Sequence, residues 1–304
     1  MHMSVSIQQL TKVFGEQTAV NGISFEASEG MITGFLGPNG AGKSTTMKMA
    51  TGYIRPTSGK ILVDGIDVEE NPIAAKRIIG YLPEHNPLYL DMYVREFLGF
   101  VASAYSLKNA KKRVEEMIEL VGLERERSKR LSALSKGYRQ RVGLAKSLIH
   151  DPKVLILDEP TSGLDPNQIL EIRQVIKNIS ADKTVILSTH IMQEVEAICD
   201  HVVIIDRGNM VVNDELSKLK EGLGNTSGII MEFEKPVNNA VFAEAGFELK
   251  DYGKNAYLIE SDRSDLRAEL LRITSEHDLP LSSLTKAQNS LEEIFHRLTQ
   301  GKAS

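Results

Sequence analysis

At 304 residues, 41% hydrophobic and 25% charged, the chain has length for about two domains of ~150 residues and enough apolar material for a core, excluding disordered and collagen-like classes. Thirty-six Lys and Arg against 41 Asp and Glu leave a net charge of −5, a balance that argues against nucleic acid as partner. A single cysteine, Cys199, excludes an internal disulfide and fits a reducing compartment.

Residues 4–36 alternate like strands, in Val5 to Gln8 and Ile23 to Glu26, and end in the apolar run Met31 to Leu36. Lys43 to Thr51 reads as a helix closed by Gly52, then Ile61 to Val63 and Ile78 to Leu82 as short strands. From Asp91 to His150 the period turns helical: Val94, Phe97, Leu98 and Val101 recur at one-turn spacing, as do Val114, Met117, Ile118 and Val121. Strands return at Val154 to Leu157, Thr184 to Leu187 and Val202 to Ile205, separated by helices Ile169 to Ile179 and Met192 to Ile198. Short apolar strands alternating with helices predict a parallel sheet covered on both faces, interrupted by a helical subdomain at about 85–152.

Glu221 to Gly228 reads as a linker between domains 1–220 and 221–304. Beyond it come a strand at Ile229 to Phe233, a short helix near Ala240, and strands Phe247 to Tyr252 and Ala256 to Ile259. A helix Asp265 to Thr274, a strand Leu281 to Leu284 and a closing helix Leu291 to Leu298 follow. That βαββαβ order predicts a small ferredoxin-like α+β domain.

Gly37-Pro38-Asn39-Gly40-Ala41-Gly42-Lys43-Ser44-Thr45 satisfies GxxxxGK[ST] between a strand and a helix. Its glycines let backbone N–H groups close around phosphate oxygens, and the helix N-terminus adds partial positive charge. Lys43 is expected on the β- and γ-phosphates and Ser44 on Mg²⁺. The strand Val154 to Leu157 runs into Asp158, placed to hold the metal, and Glu159, placed to polarise the attacking water. A nucleoside triphosphate and Mg²⁺ are therefore expected.

Leu134-Ser135-Lys136-Gly137-Tyr138-Arg139-Gln140-Arg141 resembles the LSGGQ signature of ATP-binding cassette (ABC) ATPases. Ser162-Gly163-Leu164-Asp165 resembles their D-loop, Ser188-Thr189-His190 their switch histidine, and Phe14 the aromatic that stacks on adenine. Motifs in family order from Phe14 to His190 imply an α/β P-loop core with an antiparallel β subdomain and a helical insertion. They also imply that ATP is bound and hydrolysed in a head-to-tail homodimer. There Ser135 and Gly137 of one chain would cover the nucleotide of the other, Asp165 of the D-loop would be among the residues that bind it, and His190 would join Lys43 and Glu159 in catalysis. Lys136 and Tyr138 depart from the signature, and Glu84 stands where the family has a glutamine that reaches Mg²⁺. Ser135 also reads as the cap of the helix starting at Lys136.

Leu82 to Tyr89, Leu134 to Arg141 and Asn289 to Phe295 look most like the gliding-motility-associated ATP-binding subunit and, more widely, multidrug-exporter ATPases. The resemblance implies a separate integral-membrane permease, which would hold the chain on the cytoplasmic face of the membrane. No apolar run reaches the ~20 residues that span a bilayer and no signal peptide is expected, so a role in a membrane process would require another chain to supply the spanning part. A soluble ABC ATPase acting on nucleic acid or ribosomes is the alternative. A small-molecule kinase would explain the phosphate loop but not the signature, D-loop and switch. The remaining histidines show no metal spacing, Cys199 beside His201 reads as packing, and Glu124 to Arg130 as a solvated loop.

Overall fold

Two long strands, β1 (Met3–Phe14) and β2 (Gln17–Ser28), pair antiparallel and run well past the quartets visible in the sequence. Bulges between Ile7 and Leu10 and between Leu10 and Lys12 break the two-residue alternation, which hides the length of β1 from a period count. The computed structural model describes residues 3–222, 227–261, 263, 265–286 and 291. They fall into two units, Met1–Leu216 and Ser217–Ser304.

In the first unit β3 (Ile32–Leu36) is buried along its whole length and leads into α1 (Lys43–Ala50). Next come β4 (Ser58–Val63), β5 (Ile66–Asp67), α2 (Pro72–Ile78) and β6 (Ile79–Leu82). Ile78 thus ends a helix instead of opening the strand. Helix α2 buries only Ala75 and has no apolar stripe to betray it. β2, β1, β4 and β5 form one antiparallel sheet in that order.

The insertion holds α3 (Val94–Ala104), α4 (Ala110–Leu120) and α5 (Lys136–Leu148). α3 buries Val94, Phe97, Leu98 and Ala102, and α4 buries Val114, Met117 and Ile118. The loop before α5 is not wholly solvated: Glu126 is buried and pairs with Lys129 at 2.6 Å. Past the insertion lie β7 (Val154–Asp158), α6 (Pro166–Ile179), β8 (Thr184–Thr189), α7 (Met192–Ile198), β9 (His201–Asp206) and β10 (Asn209–Glu215).

The central sheet runs β10-β9-β3-β8-β7-β6; of its five pairings four are parallel and the β9–β10 hairpin at one edge is antiparallel. Fully buried runs such as Val154 to Asp158 mark strands covered on both faces. Phe25 of the antiparallel sheet packs on Phe35 of β3 at 5.3 Å between ring centroids, within one core that includes Met47, Ile156 and Ile186. Burying each such side chain contributes roughly 1.5–3 kcal/mol. Cys199 is buried, and a Cβ on Gly34 of β3 would lie 2.9 Å from its sulfur. Because β3, β8, β7 and β6 point the same way, the segments that follow them leave from one edge: Gly37, His190, Glu159 and Glu84.

α8 (Leu216–Gly222) occupies the start of the expected linker, and β11 (Ser227–Phe233) begins within its end. In the second unit α9 (Ala240–Glu244), β12 (Lys250–Gly253), β13 (Ala256–Ser261), α10 (Leu266–Glu276) and β14 (Leu281–Lys286) follow. The sheet order β12-β13-β11-β14, antiparallel throughout, is that of a ferredoxin-like fold. Met231, Phe233, Phe242, Ile259 and Leu270 form its core. Phe247 and Leu249 are buried ahead of β12 instead of inside it. Of the closing helix only Leu291 is among the described residues.

Candidate functional site

The glycine-rich turn between β3 and α1 is shaped by close approach. Gly42 caps α1 at φ +107°, and a Cβ there would lie 2.5 Å from the Ala19 carbonyl oxygen, so only glycine fits. Lys43, itself buried, donates from Nζ to the carbonyl oxygens of Gly37 (2.8 Å) and Pro38 (3.2 Å). The same ammonium lies 3.5 Å from Glu159 Oε1.

Ser44 Oγ and Ser188 Oγ both donate to Asp158 Oδ1, at 3.2 and 2.8 Å. Burial pushes the Asp158 carboxyl above the usual range; the two hydroxyls pull it back, and the charge of Glu84 pushes it further up. Glu159 follows at φ +52°, a left-handed conformation that costs a non-glycine residue of order 1–3 kcal/mol and is held by its surroundings. Its N–H donates to the Ser188 carbonyl at 2.9 Å, and its carboxylate lies 2.9 Å from His190 Nδ1.

Phe14, Asn39, Gly40, Gly42, Lys43, Ser44, Thr45, Glu84, Glu159 and His190 line one cavity of about 560 Å³, within the ~300–1,000 Å³ typical of small-molecule sites. Gln17, Ala19 and Ser162 line it too. Ser162 opens the motif Ser162-Gly163-Leu164-Asp165, whereas nothing in the sequence marks Gln17. Phe14 is half exposed, with Lys12 Nζ 5.0 Å from its ring centroid. Gly37 and Ala41 serve from behind: the Gly37 carbonyl accepts from Lys43, and the Ala41 N–H donates to the Pro38 carbonyl at 3.2 Å.

Ser135, Gly137 and Asp165 are not among the cavity's lining residues. Ser135 caps α5, accepting the Tyr138 N–H at 3.4 Å, and Asp165 caps α6, accepting the Gln168 N–H at 3.0 Å. Ser44, Glu84 and Asp158 also border a neighbouring cavity with Tyr53, Tyr81 and Lys146. Two residues after Glu84, Asn86 clamps onto α5. Its Nδ2 donates to the Arg139 carbonyl at 2.9 Å and its Oδ1 accepts from Lys146 Nζ at 3.1 Å. A Cβ on Gly143 would lie 2.1 Å from that Nδ2, so the amide rests directly on the glycine.

A phosphate loop at a strand-to-helix turn, with a buried Asp and a Glu at the end of a neighbouring parallel strand, defines a P-loop nucleoside triphosphatase. The family model described as ABC transporter matches residues 20–162. The bacitracin transport ATP-binding protein of Bacillus licheniformis is 34% identical over 307 residues, covering 99% of both chains. The linearmycin resistance ATP-binding protein of Bacillus subtilis is 34% identical over 96% of this chain and 97% of its own. The Nod factor export ATP-binding protein I of Ralstonia nicotianae is 33% identical over 97% and 93%.

Among solved structures, an ATP-binding subunit of an ABC transporter aligns with TM-score 0.67 at 30% identity, over 73% of this chain and 93% of its own. An ATP-binding cassette in a dimeric post-hydrolysis state with ADP and Pi aligns at 0.64 and 25% identity, over 70% and 98%. The chain belongs to the ABC transporter ATP-binding proteins, and it is an ATP hydrolase.

Proposed function

We propose that residues 1–220 hydrolyse ATP as a head-to-tail homodimer that drives a separate integral-membrane permease, with 221–304 as an accessory domain. The observation that carries this is the division of the motifs: Lys43, Ser44, Glu159 and His190 share one cavity, while Ser135 lies off it, exposed at the start of α5 and open to a second copy. Gly137, expected beside it, is instead buried against the Gln168 side chain. Lys43 positions the β- and γ-phosphates, Glu159 takes a proton from the attacking water, and His190 holds Glu159. Phe14 stacks on adenine, and Asp165 fixes the start of α6 at the interface between copies. Glycines 37, 40 and 42 with Asn39, Ala41 and Thr45 supply the phosphate cradle.

Mg²⁺ fits the residues present. Among the described residues no cluster of three or more His, Cys, Asp and Glu side chains could cage a metal. Mg²⁺ instead uses one or two carboxylates with phosphate and water oxygens, and the buried Asp158, with Ser44 and Glu84, is such a set. When bound, it neutralises charge on the phosphate oxygens.

Export is the direction favoured by relatives matched over nearly their whole length, whose names concern bacitracin transport, linearmycin resistance and Nod factor export. A gliding-motility role rests on the sequence segments alone. Among the described residues no helix is long and apolar enough to cross a membrane. The permease would therefore hold this subunit on the cytoplasmic face, and the net charge of −5 gives no support to nucleic acid as partner.

Glu159→Gln is expected to keep ATP affinity and accumulate an ATP-bound dimer on size exclusion, with hydrolysis reduced by roughly 10²–10⁴-fold. Ser135→Arg should abolish the ATP-dependent dimer while the monomer still binds ATP. Wild-type hydrolysis by the first variant, or lost nucleotide binding by the second, would overturn the assignment.

A further inference from the structure

We propose that Glu194 is a positioning residue for hydrolysis, its buried carboxylate tying the turn that begins at Glu159 to the strand end that presents His190. Glu194 lies in the first turn of α7 and is 1% exposed. Its Oε1 accepts the Thr161 hydroxyl and its Oε2 accepts the Thr189 hydroxyl at 2.7 Å. Thr161 is two residues past Glu159, and Thr189 immediately precedes His190; both threonines are buried. Thr189 Oγ1 in turn accepts the Ile191 N–H at 3.1 Å, fixing the chain on the far side of His190. Arg173 Nη2 of α6 stands 4.0 Å from Oε1 and offsets part of the buried charge.

A carboxylate withdrawn from water is tolerated only with partners. A residue serving α7 alone would point toward that helix's own N–H groups. Glu194 instead spends both oxygens on two other segments, the two that carry Glu159 and His190. Glu159 needs such support, because it holds a left-handed backbone and starts a turn closed by its own carbonyl, which accepts the Ser162 N–H at 3.2 Å. The 2.9 Å contact between His190 and Glu159 survives only while the β7 turn and the β8 terminus keep their spacing. Glu194 accepts a hydroxyl from each of them.

The assignment rests on Glu159 acting as general base, so the test places Glu194→Ala and Glu194→Gln in the full chain, alone and combined with Glu159→Gln. Removing the tie misplaces the base by a fraction of an ångström, and kcat for Glu194→Ala is expected to fall about 10–100-fold. Affinity for ATP should stay within about twofold, since no group on the phosphates is removed. Glu194→Gln should recover part of the loss, because its amide still accepts one hydroxyl and can donate to the other. With Glu159→Gln already present, adding Glu194→Ala should lower residual hydrolysis no further.

A merely structural role predicts instead the same proportional loss in both backgrounds together with weakened ATP binding. That result, or unchanged kcat in Glu194→Ala, overturns the proposal. Should the alanine variant not fold, Thr161→Val and Thr189→Val each remove one bond of the tie. Each must lower kcat at constant ATP affinity, or the proposal fails. Wild-type turnover in Glu159→Gln alone would count against the general base and not against the tie.

Discussion

His190 Nδ1 lies 2.9 Å from Glu159 Oε2 and 3.0 Å from Oε1, so the imidazole straddles both oxygens of the carboxylate. Lys43 Nζ approaches the same Oε1 to 3.5 Å from the other side. In the proposed site the base is thus gripped by two groups, Lys43 and His190. On the proposed reading Lys43 serves the phosphates when nucleotide binds, and His190 is the grip that keeps Glu159 aimed.

Removing that grip gives the first expectation. His190→Ala should lower kcat by roughly 10²-fold or more while ATP affinity changes little, because the ring orients the base rather than the substrate. Steady-state turnover beside equilibrium ATP titration separates the two quantities, and a variant with wild-type kcat would show that the contact is idle.

Glu84 makes the second. It lines the cavity beside Ser44, and its charge already raises the neighbouring Asp158 carboxyl. A carboxylate favours Mg²⁺ and repels metal-free phosphate. Glu84→Gln should therefore need more Mg²⁺ for half-maximal turnover, yet bind metal-free ATP at least as well. Mg²⁺ curves that coincide for wild type, Glu84→Gln and Glu84→Ala would remove Glu84 from the site.

Lys146 sets a pH dependence. Burial pulls its ammonium down to about 8 from the ordinary 10.5. Between those values the unfolded chain carries a proton that the folded chain has released, so this group makes stability rise with pH from about 8 to about 10.4. Lys146→Met lacks the group. Urea unfolding of both proteins at pH 7, 8, 9 and 10 should show wild type gaining on the variant above pH 8, whereas a constant difference contradicts the buried amine.

The phosphate loop and the β7 terminus were legible because their chemistry depends on residues adjacent in sequence: glycine spacing before Lys43, and an apolar run ending in Asp158-Glu159. The parallel sheet was legible for the same reason, since strands covered on both faces read as unbroken apolar runs. What escaped depends on neighbours far along the chain. Glu194 looks like any acid in a first helical turn until Thr161 and Thr189 are brought to it. Glu126 sits in a charged stretch that suggests solvent, yet folding buries it against Lys129. β10 fully buries only Val212 and ends in polar Asn213 to Glu215, and α8 follows it without a break, so neither stood out from a connecting segment.

The clamp between Asn86 and Gly143 constrains how this sequence can drift. A glycine inside a helix is worth about 0.5–1 kcal/mol less than alanine, so chance substitution at position 143 would ordinarily stabilise α5. Here the added methyl would occupy the place of the Asn86 amide and expel it from the Arg139 carbonyl and Lys146. The favourable change on the helix is thus closed unless position 86 changes first. The two positions, 57 residues apart in the chain (143 − 86), should be inherited as a pair.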